Sequence, residues 1–120
     1  MLGVAVAGAL GTLTRYGVGE VVGHRFPNFP WGTLVVNVTG SFLLGVLFVV
    51  LTERTMGSPA TRSTLLIGFV GAYTTFSTFS LETFRLIEEG STAAAGFNVV
   101  GNVMLGLVAV WLGITLGRAV

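Results

Sequence analysis

The sequence predicts an all-α integral membrane protein: one domain over residues 1–120, with four transmembrane helices and a break in the third. The first observation behind this prediction is composition, because 52% of the residues are hydrophobic and only 9% are charged. Soluble domains carry about 25% charged residues, so this chain lacks the polar side chains needed to cover a water-facing surface. The other two observations are four long apolar segments and a run of hydroxyl residues inside one of them.

The composition also excludes several classes of function. There is no cysteine, and therefore no disulfide framework and no thiolate metal site. A net charge of +1 with no basic patch gives no basis for binding nucleic acid. Neither a metal-ligand cluster nor a nucleophile–base pair is visible, so no enzyme is expected.

Four apolar segments have the length of membrane spans. A hydrocarbon core of about 30 Å requires roughly 20 helical residues, and the segments cover residues 2–22, 31–51, 64–87 and 93–116. Polar or proline-containing loops separate them. The first segment follows no positively charged leader, so it is expected to be a span rather than a cleaved signal peptide.

The arginines predict an unusual topology. Lysine is absent, and the six arginines divide almost evenly between the two ends of the predicted spans. Since excess positive charge normally sets orientation, we expect insertion in both directions and an antiparallel, dual-topology dimer about a two-fold axis in the membrane plane. The alternative is a fixed topology set by one strong segment. One end holds Arg54, Arg62 and Arg118, and the other holds Arg25 and Arg85, with Arg15 about two turns away.

The second span carries a polar face. Thr33, Asn37 and Ser41 recur every four residues, so they share one side of a helix. Asn37 lies six residues beyond Trp31, about 9 Å deep at 1.5 Å per residue. An amide at that depth needs hydrogen-bond partners. Two interpretations remain open: an ion or ligand pathway, and hydrogen bonds that only hold helices together.

Further polar groups lie on the other spans. Asn98 and Asn102 are one turn apart on the fourth and could face the stripe of the second. Arg15, on a glycine-lined face of the first span, is either an interfacial anchor, an attractor of anions or a partner for Glu82.

The third span is the least helical in its sequence. Residues 74–82 contain five hydroxyl residues, two phenylalanines and a carboxylate. Hydroxyl side chains compete for backbone groups, so we expect a break near residues 71–75. Exposed backbone at mid-membrane is tolerated only inside protein or beside water, and broken helices commonly coordinate ions. The positive ring edges of Phe76 and Phe79 would then offer an anion a weakly attractive lining.

Three motifs together resemble a known family. They are Gly-x-x-Gly-x-x-x-Arg-Tyr at 8–16, Pro-Trp-Gly-Thr-Leu-Val-Val-Asn-x-x-Gly at 30–40, and Gly-Ala-Tyr-Thr-Thr-Phe-Ser-Thr-Phe-Ser-x-Glu at 71–82. In this order the chain resembles the small fluoride channels of bacteria and archaea, the Fluc or CrcB-type fluoride exporters. The fourth span resembles them only as an apolar helix of suitable length.

The resemblance implies passive, selective fluoride conduction through two pores of an antiparallel dimer in the bacterial or archaeal plasma membrane. Some members of the family pair diverged subunits, so a paralogous heterodimer is the alternative to a homodimer. The resemblance places Asn37, Phe76, Phe79, Thr33 and Thr78 along the fluoride pathway. The polar faces of the second and fourth spans add Ser41, Asn98 and Asn102 to the expected pathway.

The resemblance further implies two charged positions and a metal ion. Arg15 is expected near the aqueous entrance and Glu82 near one end of the pathway. A central structural sodium ion would be held by backbone carbonyls at the helix break, at the positions of Gly71 and Thr74. No organic cofactor is expected.

Two other functions compete with a fluoride channel. The first is a small dual-topology multidrug or cation antiporter, which would need a membrane-embedded carboxylate in its first helix. Here Glu20 lies near the end of that helix, while most polar residues are on the third. The second is a non-conducting membrane assembly subunit whose polar residues only join helices.

Overall fold

The computed structural model describes residues 1–120 and contains helices and no strand, which confirms the all-α prediction. Non-helical segments at residues 26–30, 54–58, 74–75 and 89–91 separate five helices. The helices are α1 at Leu2–Arg25, α2 at Trp31–Glu53, α3 at residues 59–73, α4 at Phe76–Glu88 and α5 at Thr92–Ala119.

Local sequence explains where several helices begin and end. Pro30 immediately precedes α2. Ser58 caps α3: its Oγ accepts a hydrogen bond from the Thr61 N–H at 3.1 Å, and Pro59 occupies the first helical position. After α4, Gly90 adopts a positive φ of 81°, a conformation that ends helices and that glycine adopts without strain.

Three stretches are long and apolar enough to cross a membrane. They are Trp31–Glu53, Pro59–Glu88 (α3 and α4 together) and Thr92–Ala119, with hydropathies of 2.4, 1.3 and 2.1. The molecule measures 48 Å along its longest axis, against a hydrocarbon core of about 30 Å. Leu2–Arg25 is long enough but is not among these stretches, since its many glycines and Arg15 dilute its apolar character.

Glycines allow the closest helix contacts. The C-terminal half of α5 packs along α2, and α1 packs along α3. A Cβ atom built on Gly45 would lie 2.5 Å from the Val110 carbonyl oxygen and 2.9 Å from the Ile114 nitrogen. A Cβ on Gly113 would overlap the Phe42 carbonyl oxygen from the other side. The small residues at this contact therefore set the separation of α2 and α5.

The helices contain three π-helical stretches, at Val49–Glu53, Ser63–Val70 and Gly101–Leu105. Wide turns of this kind are uncommon and are often found at functional sites. The stretch in α5 begins directly after Val100 and includes Asn102, one of the predicted site residues.

A cluster of charged groups joins α2 to α5 at one end of the molecule. The Arg118 guanidinium donates from Nε and Nη2 to the two carboxylate oxygens of Glu53, at 3.0 and 2.7 Å. Arg54 donates from its Nη2 to the Arg118 carbonyl oxygen at 3.0 Å. A paired geometry of this kind is the favourable arrangement for an arginine and a carboxylate.

Replacing Gly45 with alanine should destabilise the protein by about 1–3 kcal/mol, because the added methyl group meets backbone atoms of α5 that have no room to move. Thermal unfolding in detergent would measure the loss. Gly96→Ala is the matched control, since nothing lies within 4 Å of its Cβ position. Equal melting temperatures for the two variants would contradict this account of the α2–α5 contact.

Candidate functional site

The backbone leaves the helical conformation between α3 and α4, inside the stretch where the sequence predicts a break. Thr74 has φ −84° and ψ 160°, and Thr75 has φ −150° and ψ 116°, both in the extended region. Thr75 then caps α4. Its hydroxyl accepts a hydrogen bond from the Thr78 N–H at 3.2 Å and donates to the Thr78 hydroxyl at 3.0 Å.

Asn37 of α2 binds the extended backbone at Thr75. Its Oδ1 accepts the Thr75 N–H at 2.8 Å, and its Nδ2 donates to the Thr75 carbonyl oxygen at 3.2 Å. One side-chain amide therefore satisfies both backbone polar groups of an extended residue. Unpaired, each of those groups would cost several kcal/mol in an apolar environment.

This arrangement changes the environment of two carbonyls. In a continuous helix the Thr75 N–H would donate to Gly71 and the Thr78 N–H would donate to Thr74. Here those two donors bind the Asn37 amide and the Thr75 hydroxyl instead. The carbonyls of Gly71 and Thr74, the positions for which the family resemblance implies a sodium site, thus lose their ordinary helical donors.

Asn37 also connects to the asparagines of α5. Its Nδ2 donates to Oδ1 of Asn102 at 2.9 Å. Asn102 in turn donates to the carbonyl oxygen and to Oδ1 of Asn98, at 2.9 and 3.1 Å. The structure therefore brings together the polar faces of the second and fourth predicted spans. Both hydrogens of the Asn37 amide are committed to protein acceptors.

Two cavities flank the break. The inner cavity, of about 310 Å³, is lined by several of the predicted pathway residues: Asn37, Ser41, Phe76, Phe79 and Asn102. Gly71 and Thr74 line it as well. The outer cavity, of about 560 Å³, is lined by Thr33, Thr78, Arg15 and Glu82. Thr75 lines both cavities, so the extended segment is the boundary between them.

The phenylalanines occupy contrasting positions on the inner cavity. Their ring centroids are 5.6 Å apart and the ring planes are tilted by 56°. Phe79 is buried, with 9% of its surface exposed, whereas Phe76 is 79% exposed. The ring of Phe76 therefore stands on the open side of the single chain, where another surface could cover it.

The charge lining the outer cavity is mixed. Arg15 and Arg85 line it together with three glutamates. Arg15 does not pair with Glu82, one of the roles considered from the sequence; its Nε donates to the Ala72 carbonyl oxygen at 3.1 Å, in the last turn before the break. Oε1 of Glu82 is buried without a hydrogen-bond partner. Arg15 thus stabilises the break directly.

Asn98 is bonded to Asn102 but, unlike the other predicted pathway residues, does not line a cavity. It is fully buried, at 0% exposure, and lines neither cavity. Its Nδ2 donates to the Thr83 hydroxyl at 2.9 Å. Neither Thr83 nor Thr75 was predicted as a pathway residue, although the spacing of 75, 79 and 83 places both threonines on the face of Phe79.

Apolar helices that could cross a membrane, with two cavities beside a helix interruption that polar side chains help to line, define a small multi-pass helical membrane protein. A family model described as "CrcB-like protein, Camphor Resistance (CrcB)" matches residues 2–114. The chain belongs to this CrcB family, which confirms the resemblance found in its motifs.

Curated relatives match along nearly the whole chain. A protein of Magnetococcus marinus is 44% identical over 118 residues, covering 98% of this chain and 96% of the relative. One of Geobacter sulfurreducens is 46% identical over 122 residues, with the same coverage. One of Methylococcus capsulatus is 48% identical over 119 residues, but the chain spans only 52% of its length. All three are named "Fluoride-specific ion channel FluC", and that is the name of an ion channel rather than an enzyme.

Replacing Asn37 with alanine should lower the free energy of unfolding by at least about 2 kcal/mol, because both Thr75 backbone groups and the Asn102 oxygen lose their partner. Ser41→Ala is the control, since Ser41 lines the same cavity but takes part in none of these hydrogen bonds. It should change stability by less than about 0.5 kcal/mol. Chemical unfolding in detergent would compare the two, and equal losses would contradict the role given to Asn37.

Proposed function

We propose that this chain forms a passive, fluoride-selective ion channel that exports cytoplasmic fluoride. The observation that carries the proposal is the inner cavity, where Asn37, Asn102 and the two phenylalanines line one space beside a helix interruption. Membership of the CrcB family and relatives named as fluoride-specific channels support the choice of ion.

The proposed ion path runs through the outer cavity, past Thr75 and into the inner cavity. Fluoride is small and strongly hydrated, so each water donor lost must be replaced by a protein donor. The hydroxyls of Thr33, Thr78 and Ser41 line the two cavities and can supply donors. The positive ring edges of Phe76 and Phe79 add a weaker attraction without a trapping charge. Chloride, which is larger and a poorer hydrogen-bond acceptor, gains less from such a path.

Asn37 has a double role in this proposal. Its amide hydrogens bind Thr75 and Asn102, so a passing fluoride would have to compete with one of those acceptors. The bond to the Thr75 carbonyl is the longer of the two, at 3.2 against 2.9 Å, and is the one more easily exchanged. Asn37 would thus serve the ion transiently while holding the break.

The driving force needs no chemical coupling. A membrane potential that is negative inside expels an anion with about 2.3 kcal/mol per charge per 100 mV. The mixed charge of the outer cavity favours weak attraction of the ion, as conduction requires. Neither ATP nor a proton-carrying carboxylate enters the mechanism.

The proposal includes a fourth span and an antiparallel dimer with two pores. Leu2–Arg25 has the length of a span and packs along α3, which supports counting it with the three apolar stretches. The even distribution of arginines supports insertion in both orientations. The 79% exposure of Phe76 supports a second subunit beside the inner cavity. A homodimer and a pairing with a paralogous subunit are both compatible with these observations.

A sodium ion at the centre of the dimer is part of the same proposal. The carbonyls of Gly71 and Thr74 lack their helical donors, and both residues line the inner cavity, so they fit a cation that binds neutral oxygen ligands. When bound, the ion would supply positive charge that offsets the dipoles of the exposed carbonyls.

The antiporter is the second candidate function because of the carboxylate of Glu82. Oε1 of Glu82 is buried and unpartnered, and membrane-embedded carboxylates are typical of proton-coupled transporters. A channel conducts down the electrical gradient alone, whereas an exchanger requires a proton or counter-ion gradient. An assembly subunit would transport neither fluoride nor protons.

Purified protein in liposomes should release fluoride when a potassium gradient with valinomycin sets the voltage, with equal pH on both sides. A fluoride electrode measures the efflux, and chloride efflux should be at least about a hundredfold slower, which is the discrimination that 2.7 kcal/mol provides. Phe76→Ile should slow fluoride by about tenfold or more through loss of the ring edges, an effect of roughly 1.4 kcal/mol.

Gly96→Ala is the control for the efflux assay, because its side-chain position contacts nothing within 4 Å. Fluoride release that depends on an imposed pH gradient would support the antiporter instead. An absence of any fluoride release from folded dimers would support the assembly subunit.

Single cysteines placed in the loop at 54–58, between α2 and α3, should be labelled by a membrane-impermeant maleimide from both sides of the membrane. The native chain has no cysteine, so the labelling is specific. Roughly half of the molecules should react from outside in intact cells, since the arginine count favours neither orientation. Labelling from one side only would contradict dual topology for this chain.

A further inference from the structure

Five hydrogen bonds connect the helix interruption to a point two turns further along α4. The Thr75 N–H donates to Asn37, Asn37 donates to Asn102, Asn102 to Asn98 and Asn98 to Thr83. The Thr83 hydroxyl then donates to the Phe79 carbonyl oxygen at 2.8 Å. Every donor points the same way along the series. The asparagine relay is defined here as Asn37, Asn102, Asn98 and Thr83.

Backbone groups fix the direction of the relay at several points. The Thr75 N–H can only donate and its carbonyl can only accept, so Asn37 has one possible orientation. Asn102 donates to the carbonyl oxygen of Asn98, which fixes the second amide. The Phe79 carbonyl fixes the Thr83 hydroxyl at the far end. Hydrogen bonds aligned in one direction strengthen one another in a low dielectric.

The relay links residues that lie one turn before and one turn after Phe79 in the chain. Thr75, Phe79 and Thr83 are four residues apart and share one face of α4, a distance of about 12 Å from end to end. The hydrogen bonds run from Thr75 to Asn37 on α2, then to Asn102 and Asn98 on α5, and back to Thr83 on α4. The backbone on both sides of the Phe79 ring is therefore held by the same series of bonds.

Two members of the relay cannot touch an ion in either cavity. Asn98 is fully buried, and neither it nor Thr83 lines the inner or the outer cavity. Burying a primary amide is unfavourable unless its hydrogen bonds are satisfied. Asn98 is satisfied on one side by Asn102 and on the other by Thr83.

We propose that Asn98 and Thr83 are positioning residues for conduction: they hold the Asn37 amide and the Phe79 ring without contacting the ion. The inference rests on the proposed fluoride channel for its functional readout. Without the Thr83 hydroxyl, Asn98 loses its acceptor and can rotate its amide. The bond from Asn102 to Oδ1 of Asn98 is then no longer held in place, so the support that Asn102 gives to Asn37 and to the Thr75 backbone weakens.

The test compares variants of nearly equal shape. Thr83→Val removes the hydroxyl and keeps the volume, and Thr83→Ser keeps the hydroxyl and removes a methyl group. Thr115→Val is the matched control, because the Thr115 hydroxyl makes the same kind of bond, to the Trp111 carbonyl at 2.8 Å, on an exposed face outside the relay.

Fluoride efflux from liposomes should fall about tenfold in Thr83→Val, the effect of leaving a buried amide unpaired. Efflux in Thr83→Ser and Thr115→Val should stay within about twofold of the native protein. Equal rates for Thr83→Val and Thr115→Val would overturn the proposal, as would a Thr83→Ser rate as low as that of Thr83→Val.

A second measurement does not depend on fluoride. Hydrogen–deuterium exchange of the Thr75 amide, followed by mass spectrometry, should quicken in Thr83→Val and not in Thr83→Ser. Unchanged exchange in Thr83→Val would overturn the relay even if the native protein conducts fluoride. The opposite result is also informative: exchange changes in Thr83→Val, but the native protein releases no fluoride. The relay would then be a structural link only, and both the fluoride function and the proposed role in conduction would be rejected.

Discussion

The side-chain amide of Asn37 pairs the backbone groups of Thr75 that a continuous helix would otherwise pair. A membrane-embedded chain cannot leave backbone groups unpaired, and the extended residue Thr75 exposes one donor and one acceptor. Asn37 meets both, at 2.8 and 3.2 Å. The separation of the two cavities, the start of α4 at Phe76 and the release of the Gly71 and Thr74 carbonyls all depend on this pair of bonds.

Several polar groups around the break have specific partners. Arg15 binds the Ala72 carbonyl from α1, and the Thr75 hydroxyl caps α4. On the far side of α2, the Tyr73 and Thr39 hydroxyls lie 2.9 Å apart. Helices α1 and α2 thus both contribute side chains that hold the residues at the break, which is why the interruption can persist in an otherwise apolar protein.

Three of the four predicted spans, and the place where the chain leaves the helical conformation, could be predicted because they depend on local composition. The hydroxyl-rich run after Gly71 competes for backbone bonds wherever it is placed, and the extended residues lie within the expected stretch. The hydrogen-bond partners could not be predicted. That Asn98 binds Thr83 while Asn102 binds Asn37 depends on the packing of α5 against α2 and α4, and the wide turn at Gly101–Leu105 has no clear mark in the sequence.

That wide turn has a consequence for how α5 can vary. Each residue added to or removed from a regular helix rotates everything beyond it by about 100°, and a π-helical turn is the place where such a change of phase is absorbed. In α5 it begins after Asn98, contains Asn102 and ends before Gly113, which meets α2. The two halves of α5 can therefore differ in helical phase. A change that rotates the half packed against α2 need not turn the Asn98 amide away from Thr83.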